Sequence, residues 1–173
     1  MNKKIILIAI CTLLCLSILS GCNVKYNAVM YSRVEEWIDE DFLRENRVKA
    51  YYLNDDYVED DDSDEPPEEY IYDKNSPSSR SFIITEENQF KNIFTACPIS
   101  VDFDKEMVLL HIFGDMYPYR EYYLKKTALE DKTLKIYYKL EYSNKKDATM
   151  PFQRCMMVKL DRLDISDVNF IEK

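Results

Sequence analysis

The sequence predicts an α+β fold: a small antiparallel sheet with one packed helix, preceded by an N-terminal helical arm and a disordered acidic loop. Three observations predict it. Leu134, Ile136, Tyr138 and Leu140 alternate with Lys135, Tyr137, Lys139 and Glu141, the period of a strand with one wet face. Met107 to Phe113 is a near-continuous apolar run, as expected of a central strand covered on both sides. Phe90, Ile93, Phe94 and Cys97 recur at helical spacing, so they share one face of a helix that Pro98 stops.

The remaining elements follow in chain order. Residues 23–31 read as a tether or a short edge strand. Ser32-Arg33-Val34-Glu35 has the pattern of a capping box, in which a hydroxyl accepts an amide proton three residues on and a carboxylate reaches back. Val34, Trp37, Ile38 and Phe42 continue at helical spacing, with acids early where the helix dipole favours them, so a helix is predicted over 33–45. Val48 to Leu53 reads as a strand. Glu59 to Glu69 carries dense like charge, Pro66 and Pro67, and no apolar period. Such a stretch cannot bury enough surface to offset its ordering entropy, so it reads as an exposed, mobile loop that Asn75-Ser76-Pro77-Ser78-Ser79 closes. Ser81 to Thr85 reads as a strand, and Thr85 as the cap of the Phe90 helix. Strands are also read over 119–126, 154–161 and 168–171. These give four segments: 1–21, 22–58, 59–79 and a main domain over 80–173.

Segment 1–21 has its own logic. Lys3 and Lys4 precede an uncharged apolar run from Ile5 to Leu19, too short to span a membrane comfortably and suited to a secretory signal. Leu19-Ser20-Gly21-Cys22 follows, and it resembles the lipobox of bacterial lipoprotein signals. The resemblance implies cleavage between Gly21 and Cys22, and a diacylglyceryl group on the Cys22 thiol. The expected location is the outer face of the cell membrane, held through that lipid. Two acyl chains make release slow, because each buried methylene is worth about 0.8 kcal/mol.

Composition excludes some functions. The chain has 23 basic and 32 acidic residues, a net charge of −9, which becomes −11 once Lys3 and Lys4 leave with the signal. Nucleic-acid binding rests on phosphate neutralisation by Lys and Arg, so no nucleic-acid partner is expected. Five cysteines shrink to two, because Cys11 and Cys15 leave with the signal and Cys22 is lipidated. Cys97 and Cys155 either form a disulfide in an oxidising compartment or sit apart as buried core thiols. One histidine and no paired-Cys spacing argue against zinc.

No catalytic constellation can be assembled, so the chain is read as non-enzymatic and without a cofactor. His111 lies in the apolar run on the same face as Leu109 and Phe113, and reads as a core histidine. A catalytic histidine needs a nucleophile and an orienting group beside it. Two glycines cannot build a phosphate loop or a dinucleotide fingerprint. Asp60, Asp62 and Asp64 imitate the start of a calcium loop, but Glu65 stands where glycine is needed and Ile71 where a bidentate acid is needed. The acidic run therefore reads as solvated.

Tyrosine is the unusual residue, with 14 copies, many of them around the central strands. If Tyr138 faces the core, Tyr137 must face away. A sheet face carrying Tyr122, Tyr137 and Arg120, with Lys125, Lys126 and Lys139, is therefore the candidate partner surface.

Two further stretches carry a resemblance. Ile84-Thr85-Glu86-Glu87-Asn88-Gln89-Phe90-Lys91-Asn92-Ile93-Phe94 with Val101 to Val108, and Ala148-Thr149-Met150-Pro151 before Cys155 to Lys159, resemble PrcB-type C-terminal domains over residues 80–172. The mature chain also resembles uncharacterised lipoproteins of low-GC Gram-positive bacteria. The family resemblance implies an accessory role, in which the domain stabilises a surface protease complex. The glycine-rich turn usual in that family reads Gly114-Asp115-Met116-Tyr117-Pro118-Tyr119-Arg120 here. The expected function is thus an anchored module that binds an exported protein. The alternative is a lipoprotein that binds a cation or small ligand.

Overall fold

A computed structural model describes residues 26–54, 56–57, 68–116, 120–141 and 150–173. The predicted signal, Gly21, Cys22 and the centre of the acidic run lie outside these residues, as do Tyr117, Tyr119 and Tyr142. The architecture is mostly β, which corrects the α+β expectation. Among the described residues nine strands form two sheets, and no helix exceeds seven residues. The strands are β1 (Ala28–Ser32), β2 (Tyr51–Leu53), β3 (Tyr70–Tyr72), β4 (Ser79–Ile84), β5 (Glu106–Asp115), β6 (Glu121–Glu130), β7 (Thr133–Glu141), β8 (Phe152–Asp161) and β9 (Asp167–Glu172). The helices are α1 (Glu40–Glu45) and α2 (Glu87–Ile93).

The larger sheet runs β3-β2-β8-β5-β4, with β1 also paired to β8. The smaller sheet is β6-β7-β9. β5 and β8 pair antiparallel over their full length, Glu106 opposite Asp161 and Asp115 opposite Phe152. Both are buried on both faces, which is why their apolar runs are almost unbroken. One face packs Val108, Leu110, Ile112, Cys155 and Met157 against Val34, Ile38, Val48, Phe90, Ile93 and Phe94. The other packs Met107, Leu109, Val158 and Leu160 against Leu134, Ile136 and Val168 of the smaller sheet. β1 lies beside β6 and β4 beside β9, so the two sheets meet along both edges.

The predicted helical arm is not an arm. Ser32 is the last residue of β1, and Arg33 takes a left-handed φ of 60° that breaks the chain out of the strand. A single 3-10 turn covers Glu35–Trp37, Ile38 is extended, and Asp39 then caps α1 by accepting from the Phe42 N–H at 2.9 Å. The Glu35 carboxylate accepts the backbone N–H of Cys155 at 2.8 Å, while the Val34 N–H donates to the Cys155 carbonyl at 3.2 Å. These two contacts fill the gap in the β8 ladder between β1 and the β2 pairing at Phe152. The described parts of segments 22–58 and 80–173 therefore share one sheet. The acidic run leaves from β2 and returns into β3, whose strands pair antiparallel. Around it, the Asn54 N–H donates to the Glu69 carbonyl at 2.8 Å.

The second helix starts at Glu87, with Glu86 at the cap position and no side-chain cap, so Thr85 does not cap it. It stops at Ile93, short of Pro98.

Candidate binding surfaces

The smaller sheet presents an outer face built around Tyr137. In β7 the buried residues are Leu134, Ile136 and Tyr138, so Lys135, Tyr137 and Lys139 point outward. Lys126 of β6 and Ile171 of β9 are the register partners of Tyr137. A β-bulge between Leu124 and Lys126 puts this lysine there. Without the extra residue, strict alternation would turn Lys126 inward behind Tyr122 and Leu124; the bulge changes the parity. The Lys126 Nζ lies 4.8 Å from the Tyr137 ring centroid and the Lys173 Nζ 4.5 Å, so two ammonium groups share one ring. The Lys139 Nζ is 5.3 Å from the Tyr123 ring and also pairs with Glu141. Lys135 pairs with Glu130 at 2.5 Å.

Tyr122 and Arg120 do not belong to this face, which corrects the predicted partner surface. Tyr122 alternates inward from β6 and is 4% exposed. It packs with Tyr138 and Met156, and edge-on to Phe113 at 5.3 Å. Its hydroxyl donates to Oδ2 of the buried Asp115. Arg120 pairs with the same carboxylate at 3.7 Å and is largely covered. Burial first, then the hydrogen bond and charge of Asp115, push the Tyr122 hydroxyl well above the usual tyrosine range. Burial, then the charge of Glu172, pushes Tyr138 up to about 12. Asp115 ends β5 and Arg120 precedes β6, so this cluster clasps the two ends of the connection between the strands. Sequence reasoning missed it because the parity of a tyrosine pair cannot be set without the register of the strand.

Cys97 and Cys155 are free thiols, so the disulfide alternative gives way to separate core residues. Cys155 is buried in the core behind Val34, and Cys97 packs at the rim of the same cluster. Burial pushes both thiols up.

His111 is buried, with its ring stacked on Phe170 at 4.3 Å and on Phe113 at 5.2 Å. Its Nδ1 lies 2.9 Å from the Ser81 hydroxyl on β4, a pairing with no local sign in the sequence. Burial lowers the imidazole pKa to about 4, against a smaller upward pull from the Arg80 backbone. A base this weak is a poor activator of a hydroxyl at neutral pH.

A cleft of about 360 Å³ opens on the helix-bearing side of the β2–β3 hairpin. Tyr52 and Ile71, opposite each other in register, form its floor with Arg47. The Arg47 guanidinium lies 4.5 Å from the Tyr52 ring centroid. Leu53 and Ile71 are more than half exposed. On the opposite side of the hairpin Tyr51 packs on Tyr72 at 4.9 Å, and Tyr70 on Phe152 at 5.7 Å. None of these residues stood out in the sequence, because the acidic run separates the two strands that bring them together.

Among the described residues no group of three His, Cys, Asp or Glu side chains is placed to hold a metal ion. Among the same residues no helix is long and apolar enough to cross a membrane. No family model, curated protein or solved structure matches the chain.

Proposed function

We propose that the chain is a lipid-anchored protein of the outer membrane face that serves as an accessory module for another exported protein, such as a surface protease. Its membrane attachment rests on the Lys3-Lys4, apolar run and Leu19-Ser20-Gly21-Cys22 sequence. The observation that carries the binding role is the Tyr137 surface, where Lys126 and Lys173 sit over one outward-facing ring beside Ile171. On a chain of net charge −9 this basic, aromatic face is complementary to an acidic partner surface. Tyrosine suits such a contact because it offers a rigid apolar ring and a polar tip.

Crosslinking on intact cells tests this reading. The wild type is expected in the membrane fraction with a defined crosslinked partner. Tyr137→Ser with Lys126→Glu should lose the crosslink and keep the membrane location. A Cys22→Ala variant should lose the membrane location. A crosslink that survives the Tyr137 and Lys126 changes puts the contact elsewhere on the molecule. A wild type found inside the cell removes the anchor. Small-ligand binding stands as a second reading because of the Arg47–Tyr52 cleft.

A further inference from the structure

We infer that the Arg47–Tyr52 cleft is a binding site for a free carboxylate attached to an apolar side chain, as in an amino acid or the C-terminal residue of a short peptide. The site is independent of the Tyr137 face, and lies in the other sheet.

The cation rests on one ring, and both the ring and the Arg47 backbone are anchored. The guanidinium rests on the Tyr52 ring at 4.5 Å. That ring is fixed by its own hydroxyl, which lies 2.7 Å from the Val48 carbonyl and 2.8 Å from Gln153 Oε1, and accepts from the Val48 N–H at 2.8 Å. The Arg47 backbone carbonyl accepts from the Arg80 Nε at 3.2 Å. A planar fork held this way loses little freedom when it binds a carboxylate through two parallel hydrogen bonds.

Among the described residues no carboxylate lies within ion-pair distance of Arg47. Asp73 lines the same cleft, but it is committed to its own turn. Its oxygens accept from the Asn75 N–H at 3.0 Å, the Ser76 N–H at 3.0 Å and the Ser76 hydroxyl at 2.7 Å. Those bonds, led by the Ser76 hydroxyl and with a smaller pull from the Arg47 charge, hold its carboxyl below the usual range, so a ligand carboxylate must compete with Asp73 for the field of Arg47.

The rest of the cleft sets the ligand class. Ile71, 51% exposed, offers apolar contact beside Tyr52, and Leu53 lines the cleft from the neighbouring strand position. Asn75 also lines the cleft, while the Asn54 amide there is bonded to the Glu68 carbonyl and the Asp56 N–H. A volume near 360 Å³ is at the small end for ligand clefts and suits one or two residues. A separate, smaller cleft of about 200 Å³ is lined by the same Arg47 and Tyr52 together with Leu43 and Gln153.

The test uses the full-length chain in detergent micelles, with chemical shifts read at Arg47, Ile71 and Asn75. Four probes are titrated: leucine, N-acetyl-leucine, leucine amide and the dipeptide Ala-Leu. N-acetyl-leucine and Ala-Leu should shift these signals saturably, and leucine amide should not. Arg47→Gln should weaken binding by about tenfold or more, and Arg47→Lys should restore only part of it, because the ammonium lacks the fork. Tyr52→Phe keeps the stacking ring but loses the hydroxyl bonds that fix it, and should weaken binding less than Arg47→Gln does. Tighter binding of Ala-Leu than of leucine identifies a peptide end, and the reverse identifies the free amino acid. Equal binding of leucine amide, or binding unchanged in Arg47→Gln, overturns the carboxylate assignment. No saturable change with any probe at millimolar concentration overturns the site.

Discussion

His111 loses most of its basicity to burial. Its folded pKa of about 4 lies below the ordinary value of 6.5, so the unfolded chain binds the proton more readily. The stability it contributes is therefore complete above pH 6.5 and is lost as pH falls from there through 4. The loss approaches about 3 kcal/mol, since a tenfold difference in proton affinity between folded and unfolded chain is worth about 1.4 kcal/mol. Urea unfolding between pH 7 and pH 4.5 should show this slope in the wild type. His111→Phe, which keeps an apolar ring on Phe170, should flatten it. An unchanged slope would place the acid sensitivity in other groups. A second test lies at Tyr122, whose hydroxyl is committed to the buried Asp115. Tyr122→Phe removes that donor from a buried carboxylate, at a cost of about 1–3 kcal/mol measured by thermal unfolding. At this scale the sequence showed that His111 belongs to the core, because the apolar run around it is plain. It could not show Ser81 beside it, since that contact depends on β4 pairing with β5.

At the scale of elements, β8 is the strand on which the larger sheet depends. β5 covers one edge of it, while β1, the Val34–Glu35 turn and β2 share the other. Glu35 acts there as a substitute strand, its carboxylate taking the place of a backbone acceptor for Cys155. Glu35→Ala should leave that buried N–H without its partner and cost about 1–3 kcal/mol. Glu35→Gln, which keeps an acceptor oxygen, should recover most of the loss in denaturant melts. If the two variants are equally unstable, the charge rather than the acceptor is what matters. Gly114 makes a comparable point on β5. A Cβ there would stand 2.7 Å from the Lys49 carbonyl oxygen, a backbone atom, so only glycine permits the approach. Strands β5, β7 and β8 were legible because apolar runs and strict alternation are local signals. The helix expected over 33–45 is reduced to a 3-10 turn and the short α1 over Glu40–Glu45, because the Ser-x-x-Glu pattern at its start serves two long-range purposes instead. Ser32 ends a strand, and Glu35 reaches a residue 120 positions away. β3 was invisible for a related reason: three residues beyond a run of acids carry too little pattern to be read.

The whole molecule has two ends, and β8 measures the distance between them. Its Leu160 end is where the chain enters, with Ala28 opposite Leu160 and the Asn27 N–H donating to the Asp161 carboxylate at 3.0 Å. Its Phe152 end carries the Tyr51 and Tyr72 ends of the β2–β3 hairpin. About eight residues of strand separate the two, or about 26 Å. The Arg162 and Ser166 amides tie the Leu160 end to the Lys105 and Lys132 carbonyls, and the Lys132 ammonium pairs with Asp164 at 2.8 Å. If Cys22 carries lipid, as proposed, only about five residues join it to Asn27, a reach of about 17 Å when fully extended. Lys132 is then held near the bilayer, and Lys74 on the hairpin is presented away from it. A fluorophore placed at residue 132 should be quenched by a headgroup-attached quencher in vesicles carrying the lipidated protein. The same fluorophore at residue 74 should keep most of its emission. Equal quenching at both positions would mean that the body lies flat on the membrane. The hairpin cleft would then face lipid rather than the surrounding medium.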